Sequence, residues 1–169
     1  MGLDMYLSRK SYYFGQYRGD GKFADPHELN IEGPFSDRHH IRKENVSMIE
    51  TQVGYWRKAN SVHKFFVDMV QNGKDDCNEY EVPQKVIRLL RMKANKILNA
   101  NYASRIGLKG SGVSEECKRV AKKHLPPSEG FFFGSYDMDR WYIEDLERTV
   151  EICNDALFSK ADLYYRASW

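Results

Sequence analysis

The sequence predicts an α+β fold, in which a strand near each end of the chain pairs in a small antiparallel sheet covered by three to four helices. Three observations predict it. Residues 3–7 alternate apolar and polar side chains, and residues 163–169 form an aromatic, strand-like run. Between them, several stretches carry apolar side chains at helical spacing, which suits helices packed on one face of a sheet.

Taken in order, Leu3, Met5 and Leu7 alternate with Asp4 and Tyr6, the period of a half-buried strand. Residues 11–45 hold glycines, aromatics and charges without a stable period and read as a long irregular loop or hairpin insertion within a single 1–169 domain. Alternation returns from Val46 to Val53, and Gly54 reads as the end of that strand. A helix is then expected from about Tyr55 to Gln71, with Tyr55, Ala59, Val62, Phe66, Met69 and Val70 on one stripe. Asn72-Gly73 stops it, because both residues tolerate the left-handed conformation of a helix C-cap.

An acidic loop, Lys74 to Tyr80, precedes Pro83, which suits the first turn of a helix. That helix carries Val86, Ile87, Leu90, Ala94, Ile97 and Leu98 inward. Gly107 to Gly112 interrupts it, Ser114 or a neighbour caps a short basic helix, and Pro126-Pro127 follows its end. Phe131-Phe132-Phe133 reads as a short buried strand or turn. Asp137 or Asp139 caps the last helix, whose stripe is Tyr142, Leu146, Val150, Cys153 and Leu157.

The totals narrow the function classes. A net charge of +2 over 169 residues predicts nothing about partners. Charge is nevertheless segregated: residues 84–124 hold eleven Lys/Arg against two acids, and residues 129–162 hold nine acids against three bases. Two such segments neutralise each other if they pack together, and the alternative is a basic face for phosphates. Three widely spaced cysteines without a C-x-x-C pair suggest a reducing cytoplasm rather than a disulfide scaffold. No apolar run approaches the roughly 20 residues of a membrane span. Gly2 is a poor myristoylation site because Tyr6 stands where Ser or Thr is wanted.

Candidate site residues concentrate in the first expected helix. There Trp56, Asn60 and His63 fall on one border between core and solvent, with Arg57 and Lys64 one step further round. Such a border could stack a planar ligand on the indole, read an edge with the amide, and hold an anion with the cations. Tyr164, Arg166 and Trp169 form a second aromatic group with one cation. Asp75, Asp76, Asp137 and Asp139 are the weaker candidates for a hard metal ion, and the Cys77–His63 pair for nucleophilic chemistry. His39-His40 is a poor metal pair, since adjacent side chains rarely converge. No phosphate-binding loop, dinucleotide fingerprint or zinc motif is present, so no metal or cofactor is assigned.

Several blocks together resemble a family of small, mostly uncharacterised proteins encoded by phages and prophages. They are Met1-Gly2-Leu3-Asp4-Met5-Tyr6-Leu7, Val53 to Asn60 with His63-Lys64, Asp75-Asp76-Cys77, Gly130 to Ser135, and Tyr164 to Trp169. The resemblance implies a phage accessory protein in the host cytoplasm, of the kind that counters host defence by sequestering a nucleotide signal or blocking a host protein. The residues favour a non-enzymatic binder of a small anionic, nucleotide-like ligand, with a homodimer as one way to enclose it. A protein–protein inhibitor of a host factor and a metal-dependent phosphoester hydrolase are the alternatives. Nucleic acid is a lesser one, and a membrane role is not expected.

Overall fold

In the computed structural model, the residues described are 2–12, 48–105, 113–128, 137–158 and 161–169. The chain parts into two compact units, one of Met1–Arg9 with Gln52–Trp169 and one of Lys10–Thr51. The second contains the segment expected as an insertion, most of which lies outside the described residues, as do His39-His40, Gly107 to Gly112 and Phe131-Phe132-Phe133.

Alternation makes the sheet. Strand β1 (Asp4–Tyr12) turns Met5 and Leu7 inward, and β4 (Asp162–Ser168) turns Leu163, Tyr165 and Ala167 inward. They lie side by side in a four-stranded antiparallel sheet of order β2-β1-β4-β3, so the terminal strands do pair, with helices alongside them as expected. Strand β2 is Met48–Arg57, and the two-residue β3, Tyr80–Glu81, pairs Tyr80 with Tyr165 and Glu81 with Tyr164.

Gly54 does not end its strand, which corrects the sequence reading. It is buried in β2 against Ile152, and the strand continues through Tyr55 and Trp56 to Arg57. A glycine inside a strand often marks close approach of a neighbour, here a helix. The chain turns instead at Lys58, whose φ of 60° is unusual for a residue with a side chain. Helix α1 therefore begins at Asn60 and runs to Val70, five residues later than expected. Met69, expected inside, is exposed.

The other helices follow their periodicity. In α2 (Gln84–Arg105) the expected inner residues from Val86 to Leu98 are buried. Ser114 caps α3 (Glu115–His124), its hydroxyl accepting from the Cys117 amide at 3.1 Å. Helix α4 (Arg140–Phe158) buries Tyr142, Leu146 and Cys153, and Asp139 accepts from the Tyr142 amide at 3.1 Å. Helix α2 packs against both α3 and α4. The basic and acidic segments are thus neighbours, and Arg91 donates to Asn154 across the α2–α4 seam. Their inner stripes and the inward strand residues form one core. Among the described residues, no helix is long and apolar enough to cross a membrane.

Candidate ligand-binding site

Placing Trp56 on a strand changes its role. Its side chain is only 1% exposed, far from the half-exposed stacking surface expected of it. Its indole N–H donates to Thr149 Oγ1 at 2.9 Å, and that hydroxyl donates to the Asp145 carbonyl at 2.6 Å. Arg148 also donates to the Tyr55 carbonyl at 2.7 Å. These bonds tie the end of β2 to the turn of α4 that carries Asp145. Trp56 is an anchor beneath the site, and its large buried area and satisfied N–H suit that role.

The residues expected to share one hollow divide into three groups. His63 faces the end of β4: its Nδ1 lies 2.7 Å from Tyr165 Oη and its Nε2 lies 3.0 Å from Asp75 Oδ1. An ionised Asp75 can only accept, so Nε2 carries the hydrogen and Nδ1 accepts from the tyrosine. Burial lowers the His63 pKa, and the Asp75 charge and hydrogen bond oppose that without reversing it. Tyr165 is buried and stacked on Phe66 at 4.1 Å, and burial pushes its hydroxyl well above the ordinary value. Trp169 meets the His63 ring edge-on at 5.9 Å. This is a closed relay that locks α1 to β4.

Lys64 forms the second group, an exposed i,i+4 ion pair with Asp68. Tyr164 and Arg166 belong to the opposite side of β4 from Tyr165, where the Arg166 guanidinium lies 5.7 Å from the Tyr6 ring centroid. Desolvation acts to raise the Asp76 pKa, but hydrogen bonds from the Asn78 amide, Lys74, Tyr80 and the Asn78 side chain together outweigh it and hold the carboxyl below its usual value. Among the described residues, no three His, Cys, Asp or Glu side chains converge as a metal site requires. Cys77 is exposed, and both His63 nitrogens are engaged elsewhere.

Arg57 and Asn60 form the third group, and they line a cavity of about 440 Å³ together with Lys58, Ser61, Pro127, Asp137, Asp139, Trp141, Tyr142 and Asp145. That volume lies within the roughly 300–1,000 Å³ usual for small-molecule sites. Three local structures build it. The left-handed turn at Lys58 brings Arg57 and Lys58 beside the start of α1. Helix α1 has Ala59 as its N-cap, no side-chain cap and no acidic residue in its first turn, so the positive end of its dipole is uncompensated from within. The start of α4 supplies the acids and Trp141, whose ring is 71% exposed at the rim.

Two polar groups that line this cavity stand out. Asn60 is 8% exposed, yet among the described residues its Nδ2 finds no acceptor. A buried donor left unpaired costs about 1–3 kcal/mol, so such groups call for an explanation. Opposite in kind is Asp145, whose carboxylate receives no hydrogen bond among the described residues. Burial, aided by the Asp139 and Glu144 charges, pushes its pKa up to about 6, against a smaller lowering from Arg148.

Sequence reasoning named Arg57 and Asn60 but missed Lys58, Ser61, Trp141 and Asp145. A tryptophan one step off the inner stripe of α4 and just after its Asp139 cap was a usable signal for Trp141. Nothing local announced Asp145. A smaller hollow of about 250 Å³ lies between α2 and α3, lined by Lys96, Arg119, Val120, Lys123 and His124. Compared with protein families, curated proteins and solved structures, the chain matches none.

Proposed function

We propose that this protein binds a small, planar, anionic ligand of nucleotide type in the Arg57–Asn60–Trp141 cavity and does not transform it. The observation that carries this reading is the unpaired Asn60 amide in a cavity edged by two cations and an exposed indole. The amide nitrogen finds no protein acceptor among the described residues. Its terminal torsion is broad and two-fold, so a modest rotation turns it toward a ligand acceptor. Trp141 provides a stacking face, while Arg57, Lys58 and the uncapped start of α1 attract an anion.

Among the described residues, the state of His63, Cys117 and Cys153 supports binding without turnover. Both His63 nitrogens are engaged, and the Cys117 and Cys153 thiols are buried with their pKa values pushed up, that of Cys153 to about 12. In the phage setting suggested by the sequence resemblance, such binding would sequester a nucleotide signal of the host.

The test is a thermal-shift and tryptophan-fluorescence titration with the common nucleoside monophosphates. At least one should raise the melting temperature and quench fluorescence. The Arg57→Ala/Lys58→Ala double variant should lose both effects while keeping its melting temperature without ligand, since both side chains are exposed. A nucleotide shift that persists in the double variant, or no shift with any of them, would refute the proposal.

A further inference from the structure

We infer that the cavity selects its nucleotide by the base, and that the base it takes is guanine. The inference rests on the binding reading above and deepens it. It comes from the complementarity of two groups that line one cavity, the Asp145 carboxylate and the Asn60 amide, whose Nδ2 has no acceptor among the described residues.

An ionised carboxylate offers two acceptor oxygens and no donor, so it is best matched by two adjacent N–H groups on one planar edge. The Asn60 amide Nδ2, lining the same cavity, is a donor and is matched by a carbonyl. Guanine presents this sequence along its Watson–Crick edge: the N2 amino group and N1–H side by side, then the O6 carbonyl. Adenine presents an amino group beside a bare ring nitrogen, which would face a carboxylate oxygen lone pair to lone pair. Uracil and thymine offer one N–H between two carbonyls, one of which would meet the carboxylate. Hypoxanthine keeps N1–H and O6 but lacks the amino group. Xanthine replaces that amino group with a carbonyl.

The surroundings agree. Trp141 stands at the rim where a purine ring could stack while its edge points inward. Arg57 and Lys58 line the same cavity and are available to the phosphate. The Trp56–Thr149–Asp145 chain of hydrogen bonds holds the backbone of the reading residue. Asp145 must be ionised to accept two hydrogen bonds. The charged groups around it are Glu144 and Arg148 from α4 and Asp139 just before it, with Asp137, Arg57 and Lys58 also lining the cavity.

The experiment is isothermal titration calorimetry at pH 7.5 with GMP, IMP, XMP, AMP and UMP, on the wild type and on Asp145→Asn. A hydrogen bond to a charged group sets the scale, so the wild type should bind GMP about 10- to 100-fold tighter than IMP, and tighter still than XMP. Asp145→Asn gains a donor opposite the C2 position and should reverse the order of GMP and XMP. Equal binding of all five nucleotides would overturn the guanine assignment and leave the ligand-binding proposal standing, and an unchanged GMP preference in Asp145→Asn would overturn the reading of the base by Asp145. Failure of all five to bind would overturn both.

Discussion

Replacing Gly54 with alanine would place a methyl carbon 2.3 Å from Ile152 Cγ2, with Cδ1 and Cγ1 at 3.0 and 3.1 Å. Carbon pairs prefer about 3.5–4.0 Å, so β2 and α4 must separate or Ile152 must leave its rotamer. Leaving it is difficult, because a β-branched side chain in a helix has one strongly preferred χ1. Overpacking of this kind costs about 1–3 kcal/mol, offset by the roughly 0.5–1 kcal/mol that alanine gains over glycine in chain entropy. A net loss of about 1 kcal/mol is expected, read as a lower urea midpoint at unchanged slope. The nearest clash is with the branch methyl on Cβ, which identifies the rescue. Ile152→Leu removes that methyl at nearly constant volume and should recover part of the loss, whereas Ile152→Val keeps it and should recover none. A Gly54→Ala variant within 0.5 kcal/mol of wild type, or equal rescue by Leu and Val, would refute the packing argument.

Asp145 binds its proton more tightly in the folded chain, at about 6 against 3.8, so the native state loses stability as pH rises through that window. Two units correspond to about 3 kcal/mol if fully expressed, and partial exposure reduces this to about 1 kcal/mol. Above pH 7, Asp145→Asn should therefore melt about 2–4 °C higher than wild type, and the gap should close by pH 4; a constant gap would contradict the account. His63 behaves in the opposite sense. Its folded pKa lies below 6.5, so the unfolded chain takes up the proton first and stability falls as pH drops below 6.5. Imidazole NMR should show the Nε2–H tautomer titrating below 6.5, and a midpoint above that value would remove burial as the dominant influence.

What was legible in the sequence was whatever periodicity carries. Met5 and Leu7, Leu163 and Tyr165, and the stripe from Val86 to Leu98 are inside because alternation and the 3.6-residue period place them there. The site was harder because it depends on one backbone turn. Reading Gly54 as a strand end put Tyr55, Trp56 and Arg57 on a helix and aligned Trp56 with Asn60 and His63. The glycine was marking contact with Ile152, and the turn fell on Lys58, a residue with no local signature for positive φ. Moving Trp56 from helix border to strand interior separated it from Asn60, which lines the Arg57 cavity, and from His63, which joins the relay with Tyr165. The cavity also draws Trp141 and Asp145 from more than eighty residues downstream of Arg57, a juxtaposition that only the folded chain displays.

The strand order has a consequence for how the chain comes together. With β1 and β4 in the middle of the sheet, the central seam joins the earliest described strand to the latest. During synthesis β1 and β2 can meet early, but the hydrogen-bonding edge of β1 waits for β4 until nearly all of the chain from Asp4 to Ser168 has emerged. Long-range pairing of this kind folds slowly, and a waiting strand edge invites pairing with other chains. A nascent or truncated chain lacking β4 would therefore display Met5 and Leu7 beside an unsatisfied ladder, the combination that chaperones hold and that aggregates recruit.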